Sequence, residues 1–276
     1  MPHHIGLSMK LPDEIQRYYD AGREGARLGA GSGLLELART QDVLARHLPA
    51  APSRVLDVGG GTGVYARWMA GRGHEVHLYD PVARHVEEAR AHRGPALAGA
   101  RVGDARSLPE ADASADAVVM LGPLYHLTER GDRVRALAEA RRVLRRDGIV
   151  IAAAISRYAS LLDGLSRGLV DDPAFLAILE RDLREGQHRN PTEHLEYFTT
   201  AYFHEPAELR AEAEEAGLRP EAVLAVEGPA WLAPDLESRW RDDERRRVLL
   251  DLLRRVESRT AVVAMSAHLL LTARRD

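Results

Sequence analysis

The sequence predicts an α/β fold: a mainly parallel sheet covered by helices on both faces. Three observations predict it. Short apolar segments alternate with helical ones between residues 53 and 155, the pattern of successive βαβ units. The first apolar segment runs straight into a glycine-rich turn, Gly59-Gly60-Gly61-Thr62-Gly63. A helix–strand pair returns at 206–227, and the chain closes on another apolar run, Ala267-His268-Leu269-Leu270-Leu271-Thr272-Ala273.

Taken in order, residues 11–50 read as a helical N-terminal segment. Leu34, Leu35, Leu37, Ala38, Val43 and Leu44 fall on an approximate helical stripe, and Pro49 and Pro52 end it. Arg54–Val58 is the first strand, with a helix through Ala70. Glu75–Tyr79 is the second, with a helix over Val82–His92. Ala98–Val102 is the third. Ala117–Leu121 is the fourth, with a helix over Arg130–Leu144, and Ile149–Ile155 is the fifth. Residues 157–204 interrupt the alternation and read as a helical, polar lid containing Gly186-Gln187-His188-Arg189-Asn190-Pro191. A helix over Pro206–Ala216, a turn at Gly217 and the strand Ala222–Val226 resume the pattern. A second helical insertion covers 231–258, and the run from Ala267 is the seventh strand. The expected organisation is one domain: a cap at 1–50, a core at 51–156, the lid, and the remainder of the core at 205–276.

Composition narrows the function. The chain has 276 residues, 45% hydrophobic and 29% charged, enough for a sizeable core. It has no cysteine, which excludes disulfides, thiolate–zinc sites and cysteine nucleophiles. No stretch approaches the roughly 18 apolar residues of a membrane span, and the first residues show no basic flank before an apolar run. A cytoplasmic location without membrane partners is the expectation. The formal net charge of -4 argues against a nucleic-acid partner, which needs a basic face. Lys10 is the only lysine, a bias expected of a GC-rich bacterial genome.

The glycine-rich turn sits between a strand and a helix, where glycine admits positive φ and close approach of a ligand. The free N–H groups of the helix start suit an anionic group. A dinucleotide fingerprint is the rival reading. Counting from Gly59, its third glycine falls on Val64; counting from Gly61, it falls on Ala66, which that fingerprint tolerates. Asp57 tips the balance against it, because a carboxylate just before the turn suits a cationic ligand and repels a pyrophosphate.

At these residues the sequence resembles the class I, Rossmann-like S-adenosylmethionine (SAM)-dependent methyltransferases. Within them it is most similar to the bacterial small-molecule subgroup of methyltransferase type 11. Asp57-Val58-Gly59-Gly60-Gly61-Thr62-Gly63 resembles the family's first motif. His77-Leu78-Tyr79-Asp80-Pro81 resembles the second, and Gly103-Asp104-Ala105 the third. Asp116-Ala117-Val118-Val119-Met120-Leu121-Gly122 resembles the fourth, and Ala140–Gly148 the approach to strand five. The resemblance covers residues 50–156 and implies a seven-stranded sheet with a late insertion before the last strand. It also implies SAM as cofactor and S-adenosylhomocysteine (SAH) as product. Asp57, Gly59, Gly60, Gly61, Gly63, Pro81 and Leu121 would shape the site, Asp80 would accept from both ribose hydroxyls, and Asp104 and Ala105 would meet adenine. Arg27 and Arg39 are candidates for the methionine carboxylate.

The loop after strand four, Leu121-Gly122-Pro123-Leu124-Tyr125-His126-Leu127, would face the methyl group. It lacks the Pro-Pro-aromatic motif of enzymes that methylate base or glutamine amines. No carboxylate cluster matches a catechol-type metal site, and His188, His194 and His204 match no zinc spacing, so no metal is expected. The expected acceptor is a small aromatic or hydrophobic metabolite, for example an indole carbon in a natural-product pathway. Candidate catalytic residues are His126 and Tyr19. Candidate acceptor-binding residues are Tyr18, Tyr125, His188, Tyr197, Tyr202 and His204, whose alternative role is packing. A monomer or homodimer is expected. Two other functions stay open: a nicotinamide oxidoreductase, which Asp57 and Asp104 disfavour, and a non-catalytic SAM-binding regulator.

Overall fold

The computed structural model describes residues 14, 15, 18, 28, 29, 31–192 and 194–276. Tyr19 and Arg27, like half of the expected cap, lie outside the described residues. The cap's remaining part is α1, Ser32–His47.

The core alternates as its sequence does. β1 (Arg54–Val58), α2 (Val64–Ala70), β2 (Glu75–Asp80), α3 (Ala83–Ala91), β3 (Gly99–Val102) and β4 (Ala115–Met120) come first. A short α4 (Pro123–His126), α5 (Arg130–Val143) and β5 (Leu144–Ser156) follow. β1 pairs in parallel with β2 and β4, β2 with β3, and β4 with β5. Period-two alternation splits the strand side chains between two packed layers. Leu56, Val58, Val118 and Met120 enter one. Val55, Ala117 and Val119 enter the other. All but Val58, at 1%, are wholly shielded from solvent, and each large one contributes about 1.5–3 kcal/mol by leaving water.

After β5 come α6 (Ala159–Arg167), α7 (Pro173–Glu185), β6 (Gln187–His188), β7 (Ala201–His204), α8 (Pro206–Glu215) and β8 (Arg219–Ala225). The chain then forms α9 (Leu236–Arg241), α10 (Asp243–Val256), α11 (Thr260–Val263) and β9 (His268–Arg274). β9 runs antiparallel to both β5 and β8. The expected sheet of seven strands therefore has the order β3-β2-β1-β4-β5-β9-β8.

Two further strands fall inside the expected helical lid. β5 outruns β4, whose last partner on it is Ala152. Ile155 pairs with His268 on one edge and with Phe203 on the other. β7 therefore takes the edge that β4 vacates, and β6 closes a small hairpin on it. The unpaired backbone of β5 explains this addition, and a two-residue β6 carries no periodicity to read. The lid's helices α6 and α7 are as expected.

Arg39 is not a surface residue. It is wholly buried, and its guanidinium donates to Val226 O, Asp42 and Glu257. It ties α1 to the ends of β8 and α10, and it is corrected here as a candidate for the methionine carboxylate.

Candidate functional site

A cavity of about 370 Å³ lies at the carboxyl edge of the parallel strands. β2 and β4 flank β1 on opposite sides, so the strand order reverses there, the usual place for ligands in such sheets. The glycine turn, the β2 and β3 ends, α4 and residues of α1 and β9 wall the cavity.

The turn is built for close approach. Gly59, Gly61 and Gly63 have φ of 71°, 56° and 89°, values that L side chains resist. A Cβ on Gly59 would stand 2.6 Å from Pro123 Cδ, and one on Gly60 would stand 2.6 Å from Asp57 Oδ2. Gly59, Gly60 and Gly61 line the cavity. Gly63 does not; it accepts from Arg67 N at 3.0 Å and so starts α2.

Asp57 lines the cavity and is 1% exposed. Neither of its oxygens meets a described donor with hydrogen-bond geometry. Burial, with Asp80's charge added, pushes its carboxyl up to about 7, offset only in part by the Ala66 backbone N–H. A buried carboxylate without a partner is costly, and a ligand cation would relieve that cost.

Asp80, Pro81, Asp104 and Ala105 line the opposite end. Asp80 Oδ2 accepts from Gly61 N at 2.9 Å. Its Oδ1 accepts from Val82 N at 2.9 Å and faces His85 Nδ1 at 3.1 Å. Three of a carboxylate's roughly four acceptor positions are therefore in use, so Asp80 braces the glycine turn besides facing the cavity. The Asp104 carboxylate is forked by Arg106, at 3.0 Å to Oδ2, and Arg106 reaches on to Asp132 at 2.6 Å. Asp104 thus meets the cavity as half of an ion pair, not as an isolated acceptor. Leu121 and Tyr125 also line the cavity, and the Tyr125 hydroxyl donates to Leu121 O at 3.1 Å.

His126 lines the cavity with Nδ1 at 3.4 Å from Thr200 O. Burial pulls it down to about 4. It is neutral at pH 7 and stands on the cavity wall. The loop after it is fixed from below: Arg133 donates to the carbonyls of Leu127 and Thr128 at 3.0 and 2.9 Å and pairs with buried Glu212 at 2.7 Å.

The four expected acceptor-binding residues of the lid do not line the cavity. His188 is 1% exposed, with Nδ1 at 2.8 Å from Asp182 and Nε2 at 2.8 Å from Tyr197 O. The Tyr197 hydroxyl donates to Asp172, and its ring packs on Phe175. Tyr202 lies under the Arg133 guanidinium at 3.7 Å. His204 Nε2 faces Glu212 at 3.2 Å. His188 and Tyr197 bind within the lid, whereas Tyr202 and His204 tie it to α5 and α8 of the core. Tyr18 likewise is not on the cavity wall; it meets Phe198 edge-on at 5.2 Å.

The sequence reading missed one group. Glu36 of α1, Glu227 after β8 and His268 of β9 converge, with donor atoms within 4.8 Å of one another. Glu36 and His268 line the cavity beside Ile15, Thr40 and Leu270. The signal was a histidine inside an otherwise apolar terminal strand.

Residues 55–148 match the family model described as a methyltransferase domain. An uncharacterized methyltransferase of Mycobacterium bovis is 38% identical over 101 residues, 37% of this chain and 39% of that one. The ubiquinone/menaquinone biosynthesis C-methyltransferase of Acidiphilium cryptum is 34% identical over 151 residues, 51% of this chain and 56% of that one. The chain thus spans between two fifths and just over half of these curated relatives. Among solved structures, a SAM-dependent methyltransferase of Mesorhizobium loti superposes with a TM-score of 0.59 at 19% identity, over 87% of this chain and 100% of that one. The likeness identifies the fold as that of class I methyltransferases.

Proposed function

We propose that this chain, whose residues 55–148 form a methyltransferase domain, is a SAM-dependent enzyme that methylates a small molecule with an apolar or aromatic body. The observation that carries the reading is the unpartnered Asp57 carboxylate beneath the Gly59–Gly61 cradle. Its need is a cation, and a methionine-like ammonium supplies one where a pyrophosphate would add repulsion. Asp80 and the Asp104–Arg106 pair stand at the other end, where ribose and adenine would bind.

Bound SAM would supply an activated methyl group, so the protein's work is alignment and exclusion of water. Gly59–Gly61 would let the donor lie against the backbone, and Leu121 and Tyr125 would close its other side. Ile15, Leu28, Ala153, Val226 and Leu270 give the wall near α1 and β9 an apolar surface, which supports an apolar acceptor. The C-methyltransferase relative is consistent with a carbon acceptor, and nitrogen and oxygen acceptors fit the same wall. Among the described residues no helix is long and apolar enough to cross a membrane.

Calorimetry with SAM, SAH and NAD tests the reading. SAM and SAH are expected to bind at micromolar levels and NAD not at all. NAD binding without a SAM signal defeats it. Transfer of tritium from methyl-labelled SAM to a panel of phenols, indoles and amines then reads the acceptor.

A further inference from the structure

The Glu227–His268 pair lies outside every motif the family resemblance marks, yet its histidine is on the cavity wall. Glu227 is 4% exposed, and its carboxylate is gripped from several sides. Oε2 accepts from Ser266 Oγ at 2.9 Å and from the His268 backbone N–H at 3.0 Å, and Oε1 lies 2.6 Å from His268 Nδ1. The Glu227 and Gly228 backbone N–H groups in turn donate to Ser266 Oγ, each at 3.1 Å. Burial alone would raise Glu227, but the hydrogen bonds of His268, and the charge its ring carries when protonated, outweigh it and hold the carboxyl at about 2. The acid is ionised, so it acts only as an acceptor and fixes the Nδ1–H tautomer of His268. When the ring is neutral, Nε2 carries the imidazole lone pair. His268 begins β9 and pairs with Ile155. Because β9 is antiparallel, its first residue lies at the same sheet edge as the glycine cradle. Its side chain is 26% exposed.

We infer that His268, held by the positioning residues Glu227 and Ser266, is the catalytic base that removes the proton from an acceptor whose reacting atom carries a hydrogen. This rests on the methyltransferase reading. As the acceptor's electron pair bonds the methyl carbon, sulfur keeps the pair of the broken bond, and the proton released from the acceptor passes to Nε2 and on to water. The same carboxylate–imidazole orientation serves other enzymes that need a base of fixed tautomer.

The test uses the full chain with SAH bound. Long-range proton–nitrogen NMR of histidine-labelled protein, at about pH 8 and so above the ordinary imidazole range, reads each tautomer. The His268 signals are assigned by their loss in H268Q, or in H268N where H268Q does not fold. The expected result is a neutral ring with Nδ1–H and unprotonated Nε2, shifting to a tautomer mixture in E227Q. An Nε2–H tautomer, a doubly protonated ring, or no change in E227Q overturns the inference even when none of the probes below is methylated. With tritiated SAM and phenol, indole and imidazole probes, H268Q is expected to lower kcat at least about 100-fold on any probe that is methylated, within the range for a general base. The KM for SAM should stay unchanged. An unchanged kcat overturns the inference. Loss of SAM binding by the wild-type chain in calorimetry defeats the methyltransferase reading instead, whatever the tautomer shows.

Discussion

Asp57 of the cradle and His188 of the lid are each 1% exposed, but only one of them is satisfied. His188 has an oxygen partner at 2.8 Å on both ring nitrogens, whereas neither Asp57 oxygen meets a described donor. The lid is rich in aromatic and histidine side chains, and it turns them toward partners within itself and on the core helices α5 and α8, off the cavity. The cradle is mostly glycine and leaves a charge open toward a cavity. A polar group becomes a ligand candidate when the fold leaves it unsatisfied on a cavity wall, as it does Asp57 and not Asp182 Oδ1 or His204 Nδ1, which lie off the cavity. An abundance of aromatic residues in a segment says much less.

Changes in the cradle should therefore strike ligand affinity first. The largest effect is expected from Gly60→Ala. The added Cβ would stand 2.6 Å from Asp57 Oδ2 and 2.8 Å from Leu78 Cδ1, closer than atoms tolerate, so the carboxylate must be displaced. SAM affinity measured by calorimetry should fall at least about 100-fold, or about 2.7 kcal/mol. Wild-type affinity in the folded variant would show that the cradle does not hold the donor.

Asp80→Ala comes next, and it sharpens the comparison because Asp80 serves both fold and ligand. Charge-assisted hydrogen bonds contribute about 1.5–3 kcal/mol each. Loss of the acceptor for Gly61 N and Val82 N should lower SAM affinity by about 10- to 100-fold. It should also lower the melting temperature by about 2–4 °C for each kcal/mol lost. A change in affinity with no change in melting would mean that the brace on the glycine turn matters little.

His188→Ala should do the reverse. It leaves the wholly buried Asp182 with only Ser160 as a side-chain partner, a loss of about 1–3 kcal/mol in stability. SAM affinity should remain within about twofold, under 0.5 kcal/mol. If calorimetry instead shows SAM affinity falling while the melting temperature holds, the lid histidine belongs to the site after all.

The same contrast explains what could be read from the sequence. The parallel core was legible because βαβ units repeat at regular spacing and because positive φ at Gly59, Gly61 and Gly63 demands glycine. The lid hairpin was not, because β7 exists only where β5 runs past β4, a tertiary circumstance with no local signature. The partners of Asp80 and Asp104 were equally hidden. Gly61 N, His85 and Arg106 reach them through turn geometry rather than through pattern. His268 stood in plain view inside an apolar strand, but its acid partner is 41 residues away in sequence, and only the antiparallel β8–β9 pairing brings the two together.

The smallest expected effect concerns pH, and it isolates the open charge itself. The Asp57 carboxyl is raised from 3.8 to about 7, first by burial and then by Asp80. A carboxyl that is raised in the fold binds its proton more tightly there than in the unfolded chain. Its contribution to the stability of the unliganded protein is therefore fully present below the unfolded value of about 3.9. That contribution is lost as pH rises through about 7. Ligand binding should run the other way. An ammonium group requires the ionised carboxylate, so SAH affinity should fall as pH drops below 7, by at most about tenfold per pH unit. Asp57→Asn keeps the shape and removes the titration. It should flatten both slopes: unliganded stability, read by denaturant unfolding, and SAH affinity, read by calorimetry. If the Asn variant retains the wild-type slope in SAH affinity, the ligand's cation is not held by Asp57, and the contrast drawn between cradle and lid loses its central residue.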